Sequence, residues 1–281
     1  MILGYSIYEI TGLFFIYAFL GWCVEVVYCG LSEGHFINRG FLNGPVCPIY
    51  GVGGVLVVLC LTPISHNIIA LFICSALLTS ILELVTGFAL DKMFHTRWWD
   101  YSDLPFNIGG YICLKYSIYW GFVCIALMRG IHPAVMDFIR IVPGVLGVIL
   151  LIVFGLTFIT DVVITVISIN KLTKRMELME EIAGKIHAVS DKIGEGVYGG
   201  AVKIKDKGEE FMSSENAREL REKSDELRAK YEKEMTELKE KYAAMERPHF
   251  FQRRIIEAFP NMKSHNHGEQ LERLKEKFKR K

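Results

Sequence analysis

Five apolar stretches, each close to the length of a membrane-spanning helix, occupy most of the first 170 residues of this chain. About 20 consecutive, predominantly apolar residues are enough for an α-helix to cross the hydrocarbon core of a bilayer. The stretches cover residues 9–29, 46–64, 67–90, 112–131 and 142–170. They predict an all-α, polytopic membrane protein with five transmembrane helices in the lipid bilayer of the cell membrane. The start of the chain lacks the cations of a signal peptide, so we interpret the first stretch as a retained helix.

Charge divides the chain into two parts of different character. Residues 1–170 hold only six of the 32 Lys and Arg residues, whereas the rest of the chain is polar and rich in helix-forming residues. This division predicts a transmembrane domain over residues 1–170, followed by a long, helical cytoplasmic tail. The overall charge of +1 averages two different environments and therefore says little about function.

The tail is predicted to consist of three segments. Residues 171–199 extend the last span as a helix and end in a Gly-rich break. Residues 200–247 contain a charged helix, 213–246, whose apolar side chains lie near coiled-coil spacing. We interpret this helix as a surface for a homo-oligomer or a partner helix, with a solvated helix carrying pairs of opposite charge as the alternative. Residues 248–281 contain the short amphipathic piece FFQRRIIEAF, suited to an anionic membrane surface, then the linker NMKSHNHGEQ and a basic end.

The distribution of Lys and Arg predicts the orientation of the spans, because short cytoplasmic loops are enriched in these cations. Lys171, Lys174 and Arg175 directly follow the fifth stretch, so the tail is predicted to be cytoplasmic and the N-terminus to lie outside. The loops after the first and third stretches then lie on the cytoplasmic side. Arg129 and Arg140 fall on the outer side and argue weakly against this topology.

These two cytoplasmic loops belong to helical hairpins that resemble each other. In each hairpin, an apolar helix with a Glu is followed by a loop with Arg and aromatic residues, an Asn/Gly turn, and a Cys where the next helix begins. Transporter folds often arise by duplication of such a unit. We therefore predict two similar hairpins plus one further span, with chance matches among Gly, Asn and aromatic residues as the alternative.

Ionisable residues inside the apolar stretches are candidates for a functional site. A carboxylate in mid-helix costs about 2.5–3.5 kcal/mol on insertion scales, so it usually faces a protein interior or a watery cavity. The predicted cluster consists of Glu25, Glu83, Lys115, Arg39 and Arg97. Such a cluster is either a site that couples to an ion, a proton or a substrate, or an interhelical ion pair that fixes packing. Asp161 is expected to face the interior too, but near enough to the interface to be merely hydrated.

The two loops supply the remaining candidate residues. The segment RGFLNGPVCPIYG is rich in Gly and Pro, and Pro in the first turn of a helix loses no needed N–H, so the next helix is predicted to begin there with an exposed, anion-favouring N-terminus. In RWWDYSDLPFNIGG, the aromatic residues are interpreted as an interfacial belt or, alternatively, as a site for a cationic or ring-bearing ligand. The loop residues singled out are Asn38, Gly40, Phe41, Asn43, Gly44, Pro45, Pro48, Trp98, Trp99, Asp100, Tyr101, Ser102 and Asn107.

Sequence motifs of catalysis and cofactor binding do not occur in this chain. There is no GxxxxGK[ST] phosphate loop, the seven Cys form no CxxC pair, and the eight His are scattered. We therefore expect no enzymatic activity, no cofactor, no metal site and no binding of nucleic acid. Any ATP hydrolysis would have to come from a separate subunit.

Several of these segments resemble a known family. Over about residues 12–165, the order AFLGWCVEVVY, FINRGFLNGPVCPIYG, LELVTGFALDKMF, RWWDYSDLPFNIGGYICLKYSIYWG is similar to that of the "putative ABC transporter permease" family (CmpB-like, type IV). The resemblance implies a permease component served by a separate ATPase subunit, with Glu25, Asn38–Pro45, Glu83 and Trp99–Ser102 as signature positions. A membrane-anchored scaffold or regulator that acts through its tail is the alternative function.

Overall fold

The structure, a computed structural model, describes residues 3–212 and 215–279. Two compact units divide the chain. The first contains the residues up to Lys171 together with His249–Gly268, and the second contains Leu172–Pro248 together with the residues from Glu269 onward. A late segment of the chain thus belongs to the unit built from the apolar helices, which a boundary at residue 170 does not anticipate.

Two helical hairpins form the body of the first unit. Their helices are α1 (Ile7–Glu33), α2 (Pro48–Leu61), α3 (Ile68–Phe94) and α4 (Leu114–Ala126). A 3₁₀ turn at Thr62–Ile64 follows α2. The structure therefore has the helical hairpins that the sequence predicts.

The two hairpins share details of their helix ends. The first helix of each has 27 residues and ends at a residue with positive φ, Gly34 at 73° and His95 at 49°. The second helix of each begins directly after a cysteine in extended conformation, Cys47 or Cys113. These shared ends agree with the predicted similarity of the two hairpins.

Helix α4 continues through a π-helical turn, Leu127–Ile131, directly into α5 (His132–Ile141). Pro133 has no N–H to donate to the preceding turn, and a π-helical turn is one way in which a helix accommodates such a gap. The chain then enters α6 (Gly144–Met212). The remaining helices are α7 (Glu215–Met245), α8 (Phe250–Ala258) and α9 (Gly268–Lys279).

Four two-residue strands complete the secondary structure of the described residues: β1 (Thr96–Arg97), β2 (Asn107–Ile108), β3 (Ile112–Cys113) and β4 (Lys263–Ser264). β2 and β3 pair antiparallel within the loop of the second hairpin. β1 pairs antiparallel with β4, which comes from the late segment of the chain.

Four helices of the described part of the chain are long and apolar enough to cross a membrane: Ile7–Ser32, Ile68–Phe94, Leu114–Ile141 and Gly144–Glu195. The second apolar stretch, 46–64, forms the shorter apolar helix Pro48–Ile64, because Pro48 defines its start and the residues before it form a loop. The helices are those of a multi-pass membrane protein. The count of five spans and the orientation stay predictions.

The helices of the first unit share one apolar core. Leu13 of α1, Val58 of α2 and Leu71 of α3 are fully buried, and Cys124 of α4 and Ile139 of α5 join them. Helix α2 approaches α1 closely at Gly54, where a Cβ atom would overlap the ring of Tyr17. Since this ring lies inside the core, it has little room to move.

The second unit contains the tail part of α6 together with α7 and most of α9. Arg175 donates hydrogen bonds to the carbonyls of Met245 and Arg247, and Lys192 lies over the ring of Tyr231. These contacts make α6 and α7 an antiparallel pair, because residue numbers rise along one helix as they fall along the other. The pairing of α7 is thus within the chain, while the predicted coiled-coil oligomer stays a prediction and residues 213–214 of that helix lie outside the described residues.

The predicted Gly-rich break at 194–200 is wrong, since α6 runs through this stretch without interruption. Each Gly costs a helix about 1 kcal/mol relative to Ala, which weakens a helix without ending it. Pro, which removes a hydrogen bond and clashes with the preceding turn, does not occur between residues 144 and 247.

We expect the substitution Gly54→Ala to lower the melting temperature of the detergent-solubilised protein. The added methyl group meets the buried ring of Tyr17, and overpacking of this kind typically costs about 1–3 kcal/mol. The measurement is the fraction of monodisperse protein that survives heating, followed by size-exclusion chromatography.

Gly155→Ala is the matched control, because a Cβ atom at Gly155 of α6 would meet no atom within 4 Å. This variant should melt at or above the temperature of the wild type, since Ala favours helix formation. Equal losses in both variants would contradict close packing at Gly54.

Candidate functional site

The loop of the first hairpin is closed by the side chain of Asn38. The Oδ1 atom of Asn38 accepts hydrogen bonds from Trp22 Nε1 at 2.7 Å and from the backbone N–H of Gly40 at 3.3 Å. The Nδ2 atom of Asn38 donates to the carbonyl of Asn43 at 2.7 Å. Both ends of this amide are therefore used to fix the loop Asn38–Gly44 in one conformation.

The start of α2 follows this loop directly. Pro48 is the first helical residue, as predicted for a Pro in the first turn of a helix. The preceding Cys47 is buried, and its backbone N–H donates to the carbonyl of Ala18 in α1 at 2.9 Å. Pro45 lies exposed in the loop. The loop thus leads straight from its closed part into the helix that packs on α1.

A carboxylate from α6 anchors the same loop. Asp161 accepts hydrogen bonds from the backbone N–H groups of Asn43 at 3.1 Å and Gly44 at 2.7 Å. A third bond, at 2.8 Å, comes from the side-chain Nδ2 of Asn43. Hydrogen bonds to an ionised group are stronger than bonds between neutral groups. Asp161 is half-buried, and it has a role that its expected hydration does not anticipate, because its carboxylate holds the loop.

The side chain of Asn43 connects this carboxylate to an arginine. While Nδ2 of Asn43 donates to Asp161, Oδ1 of Asn43 accepts from Nε of Arg254 in α8 at 2.9 Å. A neutral amide is suited to this position, since it offers a donor to the carboxylate and an acceptor to the guanidinium. The three side chains form a continuous chain from a negative to a positive charge.

Arg254 fills the inner edge of the loop. Its guanidinium donates to the carbonyls of Gly40 at 2.8 Å and Phe41 at 3.0 Å, and a longer contact of 3.5 Å reaches the carbonyl of Asn38. Arg254 is only 8% exposed. Burial lowers the pKa of Arg254, and the negative charge of Asp161 opposes this effect. The cation is therefore held inside the protein by loop oxygens and a nearby carboxylate.

Glu25 in α1 pairs with a tyrosine and an arginine. The hydroxyl of Tyr50 in α2 donates to Oε1 of Glu25 at 2.5 Å, and Nε of Arg39 lies 3.6 Å from Oε2. Arg39 also donates to Sγ of Cys29 at 3.1 Å and lies over the ring of Tyr28. The predicted proximity of Glu25 and Arg39 is thus present in the structure.

Glu83 in α3 has a tyrosine partner but no cation beside it among the described residues. The hydroxyl of Tyr101 donates to Oε1 of Glu83 at 3.1 Å. The other oxygen, Oε2, is buried and has no hydrogen-bond partner in the part of the chain that the structure describes. Because buried polar atoms are nearly always satisfied, this oxygen is an unusual feature of the site, which Nε of Arg97 and Nε1 of Trp98 share.

The two glutamate–tyrosine pairs lie on the same side of α4. The ring of Tyr50 packs against Trp120 at 5.4 Å, and the ring of Tyr101 packs against Tyr116 at 4.8 Å. Residues 116 and 120 are one turn apart and share a helix face. Helix α4 therefore brings the partners of both carboxylates together.

The predicted charged cluster does not form as one unit. Arg97 lies 3.4 Å from Asp100 and 4.7 Å from the ring centre of Tyr111, instead of beside a glutamate. Lys115 is exposed, with its ammonium over the rings of Tyr116 and Tyr119. Its position in the first turn of α4 turns the long side chain outward, where aromatic faces support a hydrated cation.

Side chains within the second hairpin loop hold that loop closed. Asp100 Oδ1 accepts from both the backbone N–H and the hydroxyl of Ser102, at 3.0 and 2.5 Å. Nδ2 of Asn107 donates to the carbonyl of Leu104 at 2.7 Å. Trp99 is fixed by a bond from its Nε1 to the carbonyl of Tyr111 at 2.9 Å.

Trp98 is not part of an interfacial belt, in contrast to the interpretation from sequence. It is 4% exposed and packs edge-on against Phe41 at 5.1 Å and Phe259 at 5.0 Å. Three segments that are distant in sequence supply these rings, so their joint burial outweighs the preference of one Trp for the headgroup region. The Phe41–Trp98 contact also shows that the two hairpin loops meet.

Residues His249–Gly268, hereafter the docking segment, cover both loops. Arg254 enters the first loop, and strand β4 pairs with β1 of the second. Lys263 Nζ lies 2.7 Å from Asp100 Oδ2, and His265 Nε2 lies 2.7 Å from Asp91 Oδ1. Burial raises the pKa of Asp100, but hydrogen bonds from Lys263 and Ser102 outweigh it and hold this pKa well below its usual range.

Sequence analysis gave no functional role to the residues of the docking segment or to Asp161. The sequence predicts a membrane-surface helix followed by a linker here, because ten amphipathic residues fit a lipid surface as well as a protein surface. The available signal was Arg254 itself, a cation directly before two apolar residues, Ile255 and Ile256, that are now buried.

We predict that Asn43→Asp destabilises the first loop. In this variant a carboxylate replaces the amide whose Nδ2 atom donates to Asp161 at 2.8 Å, so two negative charges would face each other. Breaking a charge network inside a protein costs on the order of 3 kcal/mol. The double variant Asn43→Asp/Asp161→Asn should recover part of the loss, because a donor and an acceptor face each other again. Melting temperatures of all variants in detergent measure the effect.

Asn67→Asp is the control for the same chemical change. Asn67 caps α3 by accepting from the N–H groups of Ile69 and Ala70, a role that Asp fulfils equally well. An additive double variant at positions 43 and 161 would contradict the bridging role of Asn43.

Comparison with known proteins yields one match. The model of the family described as "Putative ABC-transporter type IV" matches residues 12–166, which is more than half of the chain and includes both hairpins and both loops. No curated protein and no solved structure matches the chain. The docking segment lies beyond the matched residues. On this match, the chain belongs to the putative ABC-transporter type IV family.

Proposed function

We propose that this protein is the permease component of an ABC-type transporter whose ATPase is a separate subunit. Membership of the family and the apolar, multi-pass helices support this function. The absence of a GxxxxGK[ST] motif from the sequence supports the need for a second subunit. In this assembly, the two hairpins supply the path or the coupling site for the transported species.

The observation that carries the proposal is the unmatched oxygen of Glu83. A carboxylate that only fixes packing is expected to have a partner at each buried oxygen, as Glu25 does with Tyr50 and Arg39. Oε2 of Glu83 has none among the described residues. We infer that Oε2 of Glu83 binds a proton or a cation during the transport cycle, while Tyr101 orients the other oxygen, Oε1.

A membrane-anchored scaffold is the second candidate function. The antiparallel pair of α6 and α7 and the charged surface of α7 form a compact unit of their own, which favours this alternative. In that case the hairpins would only hold the tail at the membrane, and substitution of Glu83 would have no functional effect.

Purification of the tagged full chain from its own cell in mild detergent, with mass spectrometry of its partners, tests the proposal. We expect an ATPase in stoichiometric amount with the wild type, with Glu83→Gln and with the control Asp137→Asn. Asp137 is an exposed residue of α5 and is not part of the site. A clean homo-oligomer without an ATPase would overturn the ABC-type assignment.

The ATP hydrolysis of the purified complex in lipid nanodiscs tests the role of Glu83. Glu83→Gln should reduce coupled hydrolysis by about tenfold or more, because the amide cannot take up a proton or balance a cation. The yield and melting temperature should stay near those of the wild type. Full activity, or loss of the folded protein, would refute a coupling role for Glu83.

A further inference from the structure

The docking segment holds the two hairpin loops through two different kinds of contact. At its start, Arg254 is inserted into the loop Asn38–Gly44. At its end, Lys263 and His265 pair with Asp100 and Asp91. Apolar side chains complete the contact, with Ile255, Ile256, Ala258 and Met262 at most 3% exposed. The loops of the family-matched region are thus covered by residues from outside that region.

The acceptors around Arg254 have the arrangement that a guanidinium requires. Its Nε, Nη1 and Nη2 atoms each find an oxygen within 3.0 Å, from Asn43 Oδ1 and the carbonyls of Gly40 and Phe41. A guanidinium is planar and presents five N–H donors in a fixed fork, whereas an ammonium is a compact point charge. The loop therefore matches the shape of the ligand group as well as its charge.

The negative charge of Asp161 favours a cation inside the loop, although its carboxylate does not contact Arg254 directly. Asn43 lies between the two charges, and its amide donates to Asp161 and accepts from Arg254. Its dipole is therefore oriented favourably with respect to both charges. The loop N–H groups of Asn43 and Gly44 already point at Asp161. Together with the hydrogen bonds of Asn38, these bonds fix the loop in the conformation whose carbonyls face the guanidinium, and a fixed conformation is the property of a preformed binding site.

We propose that the loop Asn38–Gly44 is a guanidinium-binding site which the chain fills with its own Arg254, so that the docking segment is a displaceable strap across both hairpin loops. The ligand class that competes with the strap is a guanidinium group, as in an arginine side chain of a partner or in a small guanidino compound. Tethering gives Arg254 an effective concentration in the millimolar range, so an untethered competitor must exceed this value. The site does not depend on the protein being a transporter.

Chemical rescue of Arg254→Ala tests this site in the full chain. Cys47 is the reporter, because it is only 5% exposed at the end of the loop, so that its thiol reacts slowly in the closed state. Maleimide labelling of Cys47 is followed by mass spectrometry of its peptide. In Arg254→Ala the rate should rise by about tenfold or more, since a buried thiol reacts through the opened population.

Methylguanidinium chloride at about 10 mM should restore the slow labelling of Arg254→Ala, and methylammonium chloride at equal concentration should not. The wild type should not respond to either salt at this concentration, because Lys263, His265 and the buried Ile255 also hold the docking segment in place. Arg253→Ala is the matched control, because Arg253 is the neighbouring cation of α8, is 45% exposed and pairs with Glu257. It should label like the wild type.

Arg254→Lys provides the second test, since it retains the charge and avoids a large cavity if Arg254→Ala does not fold. Its Cys47 should label faster than in the wild type, because one ammonium cannot serve three converging oxygens in the plane of a fork. Wild-type protection in Arg254→Lys, or equal rescue by the two salts, would overturn the assignment of a guanidinium site.

Discussion

The carboxylate of Asp161 is the interaction on which the organisation of the loops depends. A loop beside apolar helices has backbone groups that must find partners within the protein. Asp161 takes the N–H groups of Asn43 and Gly44 and also the side-chain amide of Asn43, whose Oδ1 atom accepts from Arg254. One negative charge on a helix thereby determines where a positive charge from elsewhere in the chain can be buried.

The two hairpins are similar in plan and differ in the residue that serves each carboxylate. Glu25 is held by Tyr50, three residues after the cysteine that precedes α2. Tyr116 occupies the corresponding place after Cys113, but its ring packs on Tyr101. The second loop is longer and supplies Tyr101 itself as the donor to Glu83. The longer loop therefore leaves Glu83 with a partner that belongs to a loop instead of a helix.

Hydropathy predicts the hairpins because each helix needs only its own residues to form in an apolar environment. The start of α2 at Pro48 and the turns closed by Asp100 and Asn107 are also determined locally, because each depends only on residues nearby in sequence. Long-range pairing has no such local signal. Arg254 contacts residues more than 200 positions earlier, and the choice of Glu25 for Arg39 but not for Lys115 follows from which way each side chain faces after packing.

The contrast between the two glutamates supports the proposal that charge changes in the second hairpin. Glu25 has a cation at 3.6 Å and a tyrosine hydroxyl, so its negative charge is balanced whether or not anything else binds. Glu83 has one hydroxyl and an oxygen without a partner among the described residues. A buried group in this state gains more from binding a proton or a cation than a group that is already paired. Tyr101 donates to Glu83, and its neighbour Asp100 pairs with Lys263 of the docking segment. Binding at Glu83 and attachment of the docking segment would therefore act on adjacent residues of one loop. A shift of that loop is therefore the simplest physical route by which the two would influence each other.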